Sequence, residues 1–170
     1  MKAEAIVYSS NTGFTERYAK MLSGKIGVSA FSLDEAAKNL DEGADIIYMG
    51  WVMAGKIKNW KTAAERYNIK AACAIGIGSG ESSAAEIKQN MKLKKEFLLF
   101  ALPGGLDMKR LRGLNRFIMG RVRVSAIKAL NQKPNRTENE QMTLTLLTDG
   151  GSAVNERFLS PVAALFETER

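Results

Sequence analysis

Five short apolar runs punctuate the N-terminal part of the chain, and their spacing leaves few folds open. They are Glu4–Ser9 (EAIVYS), Val28–Leu33 (VSAFSL), Ala44–Gly50 (ADIIYMG), Lys70–Gly78 (KAACAIGIG) and Lys95–Leu102 (KEFLLFAL). Short runs of this kind, rich in β-branched and aromatic residues, read as strands with both faces buried. The intervening segments carry helical spacing. Tyr18, Met21, Leu22 and Ile26 share one face, and Gly27 can end that helix. Asp34 is placed to cap a second helix through Leu40, a third ends near Tyr67, and Ser82 or Ser83 can cap a fourth to about Lys92. Strands that alternate with helices imply a parallel sheet covered on both faces, a doubly wound three-layer α/β fold. Ligands in such sheets sit at the carboxyl ends of the strands, so the loops after strands one, three and four are the places to look for function.

A length of 170 residues suits a single domain, 1–170. Histidine is absent, which excludes Ser-His-Asp and Cys-His catalysis and most zinc chemistry; no metal site and no catalytic residue stands out. The lone cysteine, Cys73, lies in a strand and reads as a packing residue. With no internal disulfide and no signal-peptide pattern at the N-terminus, a cytoplasmic location is expected. The net charge of +7 is local: nine basic residues and one acid lie between Asp107 and Arg136, and the rest of the chain is close to neutral. That argues for one anionic contact rather than a nucleic-acid-binding domain.

The loop after the first strand reads Ser9-Ser10-Asn11-Thr12-Gly13-Phe14-Thr15. A helix start offers unpaired N–H groups and a positive dipole end, the hydroxyls add donors, and glycine allows close approach. Together these suit a phosphate. Capping alone needs one such residue, not four. The Gly-Lys-Ser/Thr of a P-loop and the GxGxxG of a dinucleotide fold are both missing here, as are the carboxylates of a magnesium-binding receiver. Ser10, Asn11, Thr12, Gly13, Phe14 and Thr15 resemble the Ser/Thr-x-Thr-Gly-x-Thr loop with which flavodoxins hold the phosphate of FMN. The resemblance implies a five-stranded sheet of order 2-1-3-4-5 and a noncovalently bound FMN. It also implies that Trp51, Val52, Met53, Ala54 and Gly55 cover one face of the flavin ring, and that Gly78, Ser79, Gly80 and Glu81 contact the other face and its edge. On the residues alone Trp51 is equally an ordinary core aromatic at a strand end.

The stretch from Asp107 to about Leu130 reads as one long helix. Leu111, Leu114, Ile118, Val122 and Ala126 form an apolar stripe, widened by Phe117, Met119 and Val124 and expected to pack on the sheet. The basic amphipathic segment, about 107–131, also offers Arg110, Arg112, Arg116, Arg121 and Arg123 to an anionic membrane surface or an acidic partner. The tract Asn131–Thr143 reads as a loop, Asp149–Ser152 as a turn, and the remainder as a helix that Pro161 interrupts or restarts. Leu106, Asp107, Arg116, Phe117 and Met119 resemble the segment after strand five in menaquinone-dependent protoporphyrinogen dehydrogenases of the flavodoxin superfamily. Three readings follow. The first is an FMN-binding protein that passes electrons between redox partners. The second is an FMN-dependent oxidoreductase of protoporphyrinogen or a related substrate, delivering electrons to quinone at the inner face of the membrane. The third is a flavin-free interaction module.

Overall fold

The computed structural model describes residues 1–111 and 113–166. Five parallel strands form the central sheet: β1 (Ala5–Ser9), β2 (Ser29–Ser32), β3 (Asp45–Met53), β5 (Asn68–Gly76) and β6 (Leu99–Pro103), in the order β2-β1-β3-β5-β6. This is the expected doubly wound order, with one short strand, β4 (Lys56–Ile57), added as a hairpin on β3. Each strand sends alternate residues to opposite faces, so the two cores are written into successive residues of one strand. Ile47 and Met49 of β3, with Ile6, Cys73 and Ile75, meet α1 (Phe14–Ile26) and α7 (Ser160–Phe166). Ile46 and Tyr48, with Val7, Ala72 and Ala74, meet α2 (Leu33–Asn39), α3 (Trp60–Arg66) and α4 (Gly80–Met91). Small residues line β5 because it is covered on both sides, and Cys73 is completely buried. Burial pushes its thiol up to about 12, so it stays protonated and serves packing.

Tyr18 ties the layers together. Its hydroxyl donates to the Pro103 carbonyl at 2.8 Å and accepts from the Asn155 amide at 3.3 Å, which joins α1 to the end of β6 and to the C-terminal segment. Desolvation pushes this phenol up to about 12, and the Asn155 contact opposes that shift.

Several local expectations are corrected. Ser32, not Asp34, caps α2: its hydroxyl accepts from the Glu35 amide while the Glu35 carboxylate accepts from the Ser32 amide, a reciprocal capping box. Ser79, not Ser82 or Ser83, is the residue before α4, and the Ser83 hydroxyl instead donates to the Ser79 carbonyl at 3.2 Å. Trp51, Val52 and Met53 continue β3 rather than forming a loop, because β4 folds back to pair Val52 with Ile57 and Met53 with Lys56. Ala54 and Gly55 turn that hairpin, both with positive φ.

The largest revision concerns the segment after β6. Gly105–Leu106 (β7) pairs with Gly151–Ser152 (β8) in a separate two-stranded ribbon. The basic helix, α5, begins at Gly113 and runs to Asn131. Arg112 lies outside the described residues. The tract Asn131–Thr143 is not all loop: after the turn at 132–137 its second half, Glu138–Thr143, opens a further helix, α6 (Glu138–Asp149), capped by Thr137 and Glu140 in the same reciprocal way as α2. A Thr-x-x-Glu spacing is visible in the sequence and was the signal for it. The apolar stripe of α5 does not pack on the sheet. Met119, Ala126, Ile127 and Leu130 pack instead with Leu147 of α6 and Leu106 of β7, while Leu114 is 71% and Val124 70% exposed. A 3-10 turn, Glu156–Leu159, precedes α7, and Pro161 sits in the first turn of that helix, where its missing N–H costs nothing.

Candidate functional site

The loop after β1 is shaped by what its hydroxyls do not do. Gly13, at φ 92°, is the residue before α1, and no side chain caps that helix. The Ser10 hydroxyl accepts from the Gly13 amide at 3.2 Å, inside the loop, and leaves the amides of the first helical turn without a side-chain acceptor. A left-handed φ at this position favours glycine. On the outer side of the loop, Asn59 donates to the Ser9 hydroxyl at 2.8 Å. Thr15 is buried. An uncapped 13-residue helix flanked by hydroxyls is a donor set that fits a phosphate, and the capping explanation for those hydroxyls fails.

A cavity of about 530 Å³ opens beside this loop at the carboxyl ends of β1, β3, β5 and β6. Its size falls in the range of cofactor pockets. Asn11, Thr12, Phe14 and Thr15 form one side, and Trp51, Val52, Met53, Ala54 and Gly55 form another. Ile75 and Gly76 end β5 at the floor, where the Gly104 amide donates to the Gly76 carbonyl at 2.6 Å. A Cβ on Gly104 would stand 2.8 Å from the Ile75 side chain and 3.2 Å from that carbonyl, so the floor requires glycine. Trp51 is half-buried and lines the cavity instead of the core, with the Lys58 ammonium 5.8 Å from its ring centroid. The other tryptophan, Trp60, packs edge-on against Tyr48 and Phe97.

Of the candidate site residues, the cavity gathers Asn11, Thr12, Phe14, Thr15, Trp51–Gly55 and Gly78. Ser10 acts through the Gly13 amide, and Gly13 faces a neighbouring cleft. Ser79, which precedes α4, and Gly80 and Glu81, which start it, lie outside the lining, and Gly80 stands against Asn139 of α6. The Ser79 hydroxyl is buried without a hydrogen-bond partner.

What sequence reasoning missed is the roof. Ile118, Met119, Val122 and Ala126 of α5, with Thr143 and Leu147 of α6, line the same cavity. The Thr143 hydroxyl donates to the Asn139 carbonyl of its own helix at 2.8 Å and stands 3.3 Å from the Ile77 carbonyl, where α6 meets the loop after β5. Arg123 donates to the Leu147 carbonyl and, at 2.7 Å, to the Thr148 carbonyl. A cation at the last carbonyls of α6 complements its dipole, so this arginine joins the two helices rather than facing solvent freely. The apolar stripe is legible in the sequence, but its destination is not, because an amphipathic helix carries no record of what it covers.

A second cleft, about 820 Å³, lies on the other side of the loop after β1 and shares Thr12, Phe14, Leu106 and Asp107 with the first cavity. Basic side chains of Arg17, Lys20, Lys109, Arg110 and Arg123 line it, together with acidic Glu16, Asp107 and Asp149.

Comparison with known proteins gives one family. The flavodoxin domain matches residues 5–131, which span β1 through the end of α5. Among solved structures, a flavodoxin from the domain Archaea is 16% identical, with 88% of this chain and 98% of that chain covered and a TM-score of 0.33. No curated protein matches the chain.

Proposed function

The chain belongs to the flavodoxin domain family, and from that premise we propose that it binds FMN noncovalently and passes electrons between redox partners. The observation that carries this reading is the uncapped N-terminus of α1, set among Ser10, Thr12 and Thr15 and opening beside the cavity at the strand ends. Thr12, Gly13, Phe14 and Thr15 would hold the phosphate through hydroxyls and helix amides. Trp51 to Gly55 and Gly78 would border the ring on two sides, with α5 and α6 excluding water from above. Bound FMN supplies the one- and two-electron redox chemistry, and the protein supplies binding and orientation.

The test is an absorbance spectrum of protein incubated with FMN and then desalted. The wild type is expected to retain the flavin spectrum. A Thr12→Ala/Thr15→Ala variant is expected to bind FMN roughly a hundredfold more weakly, since each hydroxyl donating to a charged group contributes about 1.5 kcal/mol or more. A circular dichroism melt of the variant separates lost binding from lost fold. Colourless wild-type protein after reconstitution would remove the redox reading in favour of a flavin-free module.

The exposed face of α5 favours a second, membrane-facing reading. Among the described residues, Leu114, Phe117, Ile118, Val122 and Val124 are five of the six exposed large hydrophobic side chains. Arg116, Arg121 and Lys128 are interleaved with them, and the helix carries no acid. Ile118 and Val122 also line the cavity, so the exposed face adjoins the flavin site. This is the arrangement expected of an oxidoreductase that takes protoporphyrinogen or a related substrate and gives electrons to quinone at a membrane surface. No described helix is long and apolar enough to cross a membrane, so contact would be peripheral. Flotation with phosphatidylglycerol-containing vesicles is expected to carry the protein upward at low salt. Phosphatidylcholine vesicles, high salt or a Phe117→Ser/Val124→Ser variant is expected to leave it at the bottom. Failure to float with anionic vesicles would rule this reading out.

A further inference from the structure

The phosphate loop contains no cation of its own, yet the fold brings one to it. Arg110, 98 residues from Thr12 in sequence, donates from Nη1 to the Thr12 carbonyl at 3.1 Å. The same Nη1 lies 3.6 Å from the point where a Cβ on Gly13 would stand. Its placement is determined by Asp107. One carboxylate oxygen accepts from the Lys109 and Arg110 amides at 3.0 and 3.2 Å and shapes the turn before α5. The other faces the Arg110 Nε at 3.3 Å and orients the guanidinium. Two of the arginine's nitrogens are thus assigned to fixed partners, although its side chain is 67% exposed and water could have served instead.

We infer that Arg110 is the cation of the phosphate site, a positioning residue that makes the loop prefer a phosphate ester to a neutral flavin. Two effects act in the same direction. Donation to the Thr12 carbonyl fixes the Thr12–Gly13 peptide and polarises it, which strengthens the Gly13 N–H bond to the Ser10 hydroxyl and so holds the loop in the shape that leaves the amides of the first turn of α1 open. The guanidinium charge also adds positive potential next to the amides of the first turn of α1, where the helix dipole already favours an anion. Because the side chain is largely exposed, ionic strength screens the second effect.

The inference rests on the FMN reading, and the test separates the two. Dissociation constants for FMN and for riboflavin, which lacks the phosphate, are measured by flavin fluorescence quenching at low and high salt for the wild type, Arg110→Met and Arg110→Lys. Arg110→Met is expected to weaken FMN binding about tenfold and change riboflavin binding by less than about twofold. High salt should shrink the difference, and Arg110→Lys should restore part of it. A purely structural role for Arg110 would weaken both flavins alike. Equal losses, or an unchanged FMN constant in Arg110→Met, would overturn the inference while leaving wild-type FMN preference intact. A wild type that binds the two flavins equally would overturn the phosphate reading and this inference with it. A melting curve for each variant confirms that the protein compared is folded.

Discussion

Gly105→Ala is expected to lower the unfolding free energy by about 2–3 kcal/mol and to weaken FMN binding at the same time. A Cβ at this position would stand 2.5 Å from the Gly151 carbonyl and 2.5 Å from the tip of the Phe14 ring. Neither neighbour can retreat cheaply. Gly151 is on β8, whose pairing with β7 is fixed by the Gly105–Ser152 and Leu106–Gly151 register and by the Ala153 amide on the Gly104 carbonyl at 2.8 Å. Phe14 is the first residue of α1 and lines both the cavity and the cleft, so moving it tilts the start of α1 beside the cavity. Urea unfolding gives the stability change and flavin titration gives the affinity. Gly120→Ala serves as the contrast: nothing lies within 4 Å of its added Cβ in α5, and alanine favours helix. If Gly105→Ala matched Gly120→Ala in both measurements, the close approach of β7, β8 and α1 would be refuted.

Ile47→Ala is expected to cost more, about 3–5 kcal/mol, in the upper range for removing three buried carbons from a packed core. Ile47 is fully buried at the centre of the sheet, beside Ile6 of β1 and Ala71 of β5, facing the layer formed by α1 and α7. Ala71 has no side chain to swing into the space, so the cavity stays open. A loss of this size is a large fraction of the ~5–15 kcal/mol that holds a typical domain together. The denaturant midpoint should fall with an unchanged slope. A loss under about 1 kcal/mol, the level of an exposed substitution, would mean that this face of the sheet is not closed by α1 and α7.

These two residues mark different degrees of legibility. Ile47 stands in an unbroken apolar run, and such a run has only one use in an α/β chain: a strand covered on both sides. Gly105 stands in Pro103-Gly104-Gly105, which reads as a break. What the break accommodates, a two-stranded ribbon pressed against Phe14, depends on residues near position 151. Element ends show the same division. Gly27 ends α1 as its sequence implies, because a left-handed φ of 74° is a local property of glycine. Trp51–Met53 lie past the apolar run that marks β3, and Val52 and Met53 gain their strand character from pairing with β4. The Thr137–Glu140 capping box was legible and would have revealed α6, and with α6 the roof of the cavity.

By itself the sequence determined the layer architecture, the order in which strands and helices follow, and the hydroxyl-rich glycine loop that opens α1 after β1. Each follows from local chemistry: apolar periodicity, hydroxyls at a helix start, and a glycine where the backbone turns left-handed. Only the tertiary structure decided that the apolar stripe of α5 divides, with Met119, Ala126 and Leu130 packed on α6 and Leu114, Phe117 and Val124 left exposed, instead of covering the sheet. Only it placed Arg110 on the Thr12 carbonyl, across 98 residues of sequence. An amphipathic helix states that it must cover something and not what, and a charged side chain carries no record of a partner. Those choices were made by packing, when α5 and α6 closed over the strand ends and carried the turn at Asp107 against the loop after β1.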